Sequence, residues 1–190
     1  MQWLYDNFFL AAWIAFLLYW QLKSRDTKPT QRLEPAGSRI ARTIAFLIVI
    51  ARLGWRNLPL AWLYRHILPP APWTFFLGAA LLTAGLLLAV WARAHIGRNW
   101  SSSVTIKQDH QLIVTGPYAI ARHPIYTGIL TGFLGTAIAT TQVRGLLAFV
   151  LVMLALGFKL RLEEQWMRNQ FGEAYAAYSK RVAALVPFLL

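Results

Sequence analysis

Long apolar stretches recur along this chain, and they constrain its fold more than any other feature. About 20 apolar residues cross the hydrocarbon core of a bilayer as one α-helix, which satisfies its own backbone hydrogen bonds there. Five stretches of roughly that length run from about Trp3 to Leu22, Ile40 to Ile67, Pro72 to Ala94, Pro124 to Thr141 and Gly145 to Leu160. The sequence therefore predicts an all-α, polytopic membrane helix bundle with about five transmembrane helices.

The composition agrees with this class and excludes several others. Of the 190 residues, 57% are apolar and 14% are charged, whereas about 25% of an ordinary soluble domain is charged. The absence of cysteine excludes disulfides and thiolate chemistry. The chain also lacks HExxH, P-loop, GxSxG and GxGxxG motifs, and its four histidines lack metal-ligand spacing. We therefore expect no metal site.

The distribution of basic residues predicts the orientation. The net charge of +12 would by itself suggest a nucleic-acid partner, but 15 of the 19 Lys and Arg residues lie in three segments, 23–42, 93–122 and 159–181. With five spans these segments share one side, which the positive-inside rule assigns to the cytoplasm. We expect a protein of the cytoplasmic membrane with its N-terminus outside, its C-terminus inside and no nucleic-acid partner. Arg52 and Arg56, inside the second span, either snorkel to the outer surface or line a cavity.

Potentially reactive side chains concentrate where the fourth span begins, in the sequence GPYAIARHPIYTG at 116–128. Proline keeps the preceding His123 out of the helical conformation and suits the first position of a helix, so a helix should begin at Pro124. Backbone N–H groups at such an end attract anions. The segment indicates a binding site. The alternative is an interfacial helix start in which Gly128 and Gly132 let another backbone approach.

The end of the fifth span carries a second candidate feature, the adjacent Glu163 and Glu164. Carboxylates are unfavourable at a helix C-terminus, although Lys159 lies one turn before Glu163 and can pair with it. The pair is either a solvated charge cluster or part of a site. Beyond it, an apolar stripe predicts a helix that either lies on the membrane surface or closes a common pocket with the loop at 97–123. That stripe consists of Phe171, Tyr175, Tyr178 and Val182.

Together these motifs resemble the isoprenylcysteine carboxyl methyltransferase family, whose elements are shared in part by phospholipid methyltransferases. The matching segments are DHQLIVTGPY at 109–118, RHPIYTG at 122–128, the glutamate pair and FGEAYAAY at 171–178. The resemblance covers about residues 95–190. It implies a single integral membrane methyltransferase domain over 1–190, with N-terminal spans in 1–70. A cytoplasmic loop and the C-terminal helix would form the cofactor pocket of a catalytic core in 95–190.

The resemblance also implies a reaction and the residues that serve it. It implies methyl transfer from S-adenosylmethionine to a lipophilic acceptor in the membrane, such as the carboxylate of an isoprenylcysteine-like substrate. Cofactor contacts correspond to His110, Gln111, Leu112, Ile113, Tyr118, His123, Pro124, Tyr126, Glu163 and Glu164. Catalytic roles correspond to Arg122, Lys159 and Arg161, the last two near a family arginine that holds the substrate carboxylate.

Two other function classes remain open from the sequence. Membrane sterol-type reductases that use NADPH carry a related Arg-His-x-x-Tyr-x-Gly element, although their chains have more spans. In a non-catalytic membrane protein the same motifs would only pack the helix bundle. In each case the expected partners are membrane lipids, with a lipophilic substrate or lipid added for an enzyme.

Overall fold

The computed structural model describes residues 2–24, 30–33, 60–100, 105–107 and 112–186. Helices dominate these ranges, as predicted. The α-helices are α1 (Gln2–Ser24), α2 (Pro72–Ile96), α3 (Pro124–Thr140) and α4 (Val143–Ser179). Short 3₁₀ turns occupy Ala61–Tyr64, Gly97–Asn99 and Gly116–Ala119. An antiparallel ribbon of two strands, β1 (Thr30–Leu33) and β2 (Thr105–Lys107), is an addition to the expected all-α fold.

Four of the five predicted spans coincide with α1 to α4. Two of these helices, α2 and α4, are long and apolar enough to cross a membrane, whereas α3 has 17 residues and is shorter. Most of the second predicted span, with Arg52 and Arg56, lies outside the described residues. Its last part, 60–67, is a 3₁₀ turn and extended chain instead of an α-helix. The count of five spans therefore stays a prediction.

Glycines bring α2 and α3 into backbone contact. A Cβ atom added at Gly78 would lie 2.5 Å from the carbonyl oxygen of Gly135, and one added at Gly135 would lie 2.5 Å from that of Gly78. A Cβ atom added at Gly85 would likewise clash with the carbonyl oxygen of Gly128, and one added at Gly128 would clash with that of Gly85. Only glycine permits such close helix packing. The predicted role of Gly128 in admitting another backbone is confirmed.

The two ends of the bundle can be assigned from contacts between helix termini. At one end, Arg93 of α2 donates through Nη2 to the carbonyl oxygen of Lys23 in α1, at 2.5 Å. At the other end, Ile67 N donates to Thr141 O at 2.8 Å, and Val143 N donates to Arg65 O at 3.1 Å. The pairing with the α3–α4 turn explains why 65–67 are extended. Residues 24 and 65 thus lie at opposite ends of the bundle.

A kink divides α4 near its C-terminal end. Gly172 has φ +49° and ψ −122°, a conformation that residues with a side chain rarely adopt. Helical structure resumes beyond this residue in a new direction, and the chain that follows, 175–185, packs against the start of α3. The kink therefore brings the C-terminal segment to the predicted site.

Candidate functional site

The start of α3 has the predicted geometry and pairs with the segment that follows α4. Pro124 begins the helix, and His123 precedes it with φ −124° and ψ 60°, outside the helical region. The backbone N–H groups of Arg122 and His123 donate to the carbonyl oxygens of Ala183 and Ala184, at 2.8 and 3.0 Å. The segment after α4 therefore fixes the two residues whose side chains form the centre of the site.

His123 lies between the two glutamates. Its Nε2 atom is 2.9 Å from Glu164 Oε1, and its Nδ1 atom is 3.5 Å from Glu163 Oε2. The ring stacks on Tyr126 with 5.4 Å between centroids and 7° between planes. Burial alone would lower the pKa of His123, but its interactions with the two carboxylates outweigh burial and raise the pKa above its usual value. A protonated His123 can donate to both carboxylates at once.

One carboxylate oxygen of Glu163 has only a single, long contact with the residues that the structure describes. Its Oε1 accepts a hydrogen bond from the Tyr126 hydroxyl at 2.6 Å and lies 3.7 Å from Lys159 Nζ. The predicted pairing of Lys159 with Glu163 is therefore confirmed. The Oε2 atom meets only His123 within the described part of the chain, and the side chain is 23% exposed. Glu163 therefore retains capacity to accept a hydrogen bond from a ligand.

Glu164 is more deeply buried and more fully bonded than its neighbour. It accepts hydrogen bonds from Arg122 Nε at 2.9 Å, from Arg122 Nη2 at 3.3 Å and from the Tyr175 hydroxyl at 2.7 Å, besides the contact with His123. Arg168 Nη2 approaches to 3.6 Å, and the Glu164 side chain is 9% exposed. This arrangement makes Glu164 a structural anchor that positions Arg122 and His123.

Arg122 connects this anchor to the C-terminal segment. Besides Glu164, its guanidinium donates through Nη1 to the carbonyl oxygens of Ser179, at 2.9 Å, and Val182. Each of its three nitrogens thus has a protein acceptor. Arg122, for which the resemblance implies a catalytic role, thus joins Glu164 to the C-terminal segment.

Two tyrosines complete the site, although the sequence prediction did not include them among its residues. Tyr175 binds Glu164, and the Tyr178 hydroxyl donates to the carbonyl oxygen of Tyr118 at 2.6 Å. Their 3-residue spacing in the C-terminal stripe was the signal for a shared face. Of the two interpretations of that stripe, the structure supports the one in which the C-terminal helix packs against the loop before α3.

The loop before α3 supplies an apolar wall. Tyr118 is buried with Tyr126 in one cluster, against which Ile113 packs. Burial raises the pKa of Tyr118, so its hydroxyl stays protonated. Leu112 is half-buried, whereas His110 and Gln111 lie outside the described residues. Arg161 is exposed on α4, and no ion-pair partner for it occurs in the described ranges.

The chain resembles known proteins over the part that contains this site. The chain matches the family model of phospholipid methyltransferases over residues 73–174. Protein-S-isoprenylcysteine O-methyltransferase B of Arabidopsis thaliana is 30% identical over 120 residues, which are 62% of this chain and 61% of that protein. The cobalt-zinc-cadmium resistance protein CzcN of Cupriavidus metallidurans is 33% identical over 116 residues, which are 57% of this chain and 50% of that protein.

A solved structure shows a similar fold. It is that of a eukaryotic intramembrane Ras methyltransferase, an isoprenylcysteine carboxyl methyltransferase, with a TM-score of 0.57 and 22% sequence identity. The match covers 80% of this chain and 51% of that one. The chain thus spans about half to three fifths of the length of the proteins it matches. These matches confirm the resemblance drawn from the motifs.

Proposed function

Because this chain belongs to the phospholipid methyltransferase family, we propose that it is an integral membrane enzyme that transfers a methyl group from S-adenosylmethionine to a lipophilic acceptor. The observation that carries the proposal is the Glu163–His123–Glu164 cluster at the start of α3. One carboxylate of the cluster is fully bonded, and the other has free acceptor capacity. Such a cluster beside the apolar helices α2 and α4 suits a polar cofactor and a lipid-borne partner.

The residues present fit this cofactor. When bound, S-adenosylmethionine supplies a methyl group on a positively charged sulfur, together with an ammonium, a carboxylate and ribose hydroxyls. The partly exposed Oε2 of Glu163 can accept from the ammonium or a hydroxyl. The face of Tyr126 already attracts a cation, because Lys159 Nζ lies 5.4 Å from its ring centroid. Pro124 begins the helix whose N-terminal amides favour an anion.

The remaining residues shape and hold the pocket. Tyr118 and Ile113 form its apolar wall, next to the half-buried Leu112. Glu164 and Arg122 keep His123 in place and thereby orient Tyr126, which stacks on it. His110 and Gln111 complete the proposed cofactor contacts. Alignment of the methyl donor with the acceptor is the main requirement of an in-line displacement, and this supporting network supplies rigidity.

The acceptor that fits best is one that needs no deprotonation. His123 is a poor general base because both ring nitrogens face carboxylates and its pKa is raised. A carboxylate is already ionised at neutral pH, and Lys159 is the cation next to Glu163 that can attract it. The isoprenylcysteine O-methyltransferases among the relatives support an acceptor of this kind. We assign the enzyme an isoprenylcysteine-like carboxylate as substrate.

The location follows from the charge pattern. Because the basic segments flank the end of the bundle where α3 begins, the site would face the cytoplasm, within a catalytic core at 95–190. A lipophilic acceptor can then arrive from the bilayer while the cofactor arrives from solution. We assign the protein to the cytoplasmic membrane.

Two measurements on the full chain, purified in detergent, test this function. S-Adenosylmethionine should bind saturably and NADPH should not, because the family match and the relatives give no support to the reductase alternative. Labelled methyl groups should then pass from S-adenosylmethionine to a prenylcysteine carboxylate, in a panel that also contains lipophilic amines and thiols. Binding of neither compound would favour a non-catalytic protein. Transfer only to amines or thiols would overturn the carboxylate assignment.

A further inference from the structure

The outer face of α4 carries an exposed apolar stripe that leads into basic residues. The apolar members recur at spacings of 4, 3 and 4 and are 38% to 69% exposed; they are Leu147, Leu151, Leu154 and Phe158. The same face continues at spacings of 3, 4 and 3 with Arg161, Gln165 and Arg168, which are also exposed. Residues at such spacings share one side of a helix. One face of α4 is thus apolar from Leu147 to Phe158 and polar to basic from Arg161 to Arg168.

The basic end of this face opens into a cavity of about 450 Å³. The lining residues are Arg122, Leu160, Arg161, Glu164, Gln165, Arg168 and Asn169. Arg122 pairs with Glu164, with 2.9 Å between Nε and Oε1. Arg168 is 64% exposed and approaches Glu164 only to 3.6 Å. The cavity therefore presents two arginines, at 161 and 168, whose charge is available to an anion.

The dimensions fit one leaflet of a bilayer. Leu147 and Phe158 are separated along the helix axis by about 16 Å at 1.5 Å per residue. One leaflet contributes half of the hydrocarbon thickness, roughly 15 Å. The stripe thus has the length of a leaflet, and the cavity then lies at the depth of the lipid headgroups. A soluble anion has no apolar part that could contact the stripe.

We propose that this face of α4 binds an anionic phospholipid, with an acyl chain along Leu147–Phe158 and the phosphate in the cavity between Arg161 and Arg168. Guanidinium groups bind phosphate oxygens in pairs of parallel hydrogen bonds. Lys159, the cation assigned above to the methyl acceptor, does not line this cavity, whereas Arg161, for which the resemblance implies a catalytic role, is assigned here to the lipid phosphate. The lipid site therefore does not depend on the proposed reaction. The bound lipid would fix the depth of the Glu164 network in the membrane.

Native mass spectrometry of the full chain in a neutral detergent tests the proposal. Retention is measured for phosphatidylglycerol, phosphatidylcholine and inorganic phosphate, with wild type and with the double variant Arg161→Gln/Arg168→Gln. Wild type should retain phosphatidylglycerol in preference to both other probes. The double variant should lose roughly 30-fold in affinity, which corresponds to about 1 kcal/mol for each arginine.

A matched control separates the cavity from general surface charge. Lys180→Gln/Arg181→Gln removes two exposed basic residues near the same end of α4, outside the cavity, and should retain phosphatidylglycerol like wild type. The proposal would be overturned if both double variants lost affinity for phosphatidylglycerol equally. It would also be overturned if wild type bound phosphatidylcholine or inorganic phosphate as tightly as phosphatidylglycerol. If the double variant fails to fold, Arg161→Gln alone serves as the test, because that side chain is exposed, and an unchanged affinity would then contradict the assignment.

Discussion

Two adjacent glutamates of α4 have different surroundings near the start of α3. Glu164 accepts hydrogen bonds from Arg122, His123 and Tyr175 and is nearly inaccessible to solvent. Glu163 is more exposed and has one weakly engaged oxygen. Removing the charge of Glu164 should therefore affect stability first, whereas removing the charge of Glu163 should affect ligand binding first.

Glu164→Gln should lower the free energy of unfolding by about 3 kcal/mol, because it leaves the largely covered guanidinium of Arg122, which is 11% exposed, without its anion. Thermal unfolding in detergent, followed by circular dichroism, measures the change. Glu173→Gln is the matched control, since Glu173 is exposed on the same helix. Equal unfolding midpoints for the two variants would contradict the anchoring role of Glu164.

The stability contributed by His123 should decrease as pH rises. Its pKa in the folded protein is raised by the two glutamates, against about 6.5 in the unfolded chain. The stabilisation is therefore complete below about pH 6.5 and is lost as pH increases through the raised folded value. The titratable groups in contact with the ring are Glu163, Glu164 and Tyr126. The cations paired with those two glutamates are Lys159 and Arg122.

Unfolding midpoints measured from pH 6 to pH 9 test this dependence on His123. The difference between wild type and His123→Gln should be largest at pH 6 and should shrink towards pH 9. A difference that stays constant, or that grows with pH, would contradict a protonated His123.

Local spacing predicts part of the site, and distant contacts determine the rest. The Lys159–Glu163 pair follows from a separation of four residues on a helix. The sequence does not reveal that Arg122 binds the carbonyl oxygens of Ser179 and Val182, because these groups are about 60 residues away and have no side-chain signature. Nor does it reveal that both glutamates contact His123, since adjacent helical residues point about 100° apart.

At the scale of helices and strands, the lengths of the apolar stretches predict the helices well. The short strands and the kink are not predicted. The helices α1, α2 and α3 lie close to the expected limits. The strands β1 and β2 have three or four residues and no clear alternation, so no pattern indicates them. The kink in α4 depends on Gly172, and a glycine inside a long helical pattern gives no direction for the chain beyond it.

Two glycines of α4 should respond in opposite ways to alanine. Gly172→Ala forces a side chain into a positive φ and should cost about 1–3 kcal/mol of stability. An added Cβ at Gly157 meets no atom within 4 Å, and this glycine has no such φ, so Gly157→Ala should increase stability by up to about 1 kcal/mol. Thermal unfolding of both variants measures the signs. A shift of the same sign in both would contradict the kink.

At the scale of the whole molecule, the prediction of five spans requires Ser24 and Arg65 to lie on opposite sides of the membrane, and these two residues lie at opposite ends of the bundle. The first of these residues lies beside Arg93 and the second beside the α3–α4 turn, at opposite ends. Most of the second predicted span, Ile40 to Ile67, falls between these two residues. Five spans in total place the two termini on opposite sides.

Reporter fusions at the two termini test that topology. An N-terminal fusion should be active only with a reporter that works outside the cytoplasm, and a C-terminal fusion only with one that works inside. Both termini on one side of the membrane would show that the number of spans is even.

The proposed function depends most directly on the binding of S-adenosylmethionine at Glu163. Isothermal titration calorimetry of the detergent-purified chain measures its dissociation constant for wild type, Glu163→Gln and the exposed control Glu173→Gln. A charge-assisted hydrogen bond contributes roughly 1.5–3 kcal/mol, so Glu163→Gln should weaken binding about 10- to 100-fold. Glu173→Gln should bind like wild type. Unchanged affinity in a folded Glu163→Gln, or an equal loss in Glu173→Gln, would contradict the assignment of the cofactor site.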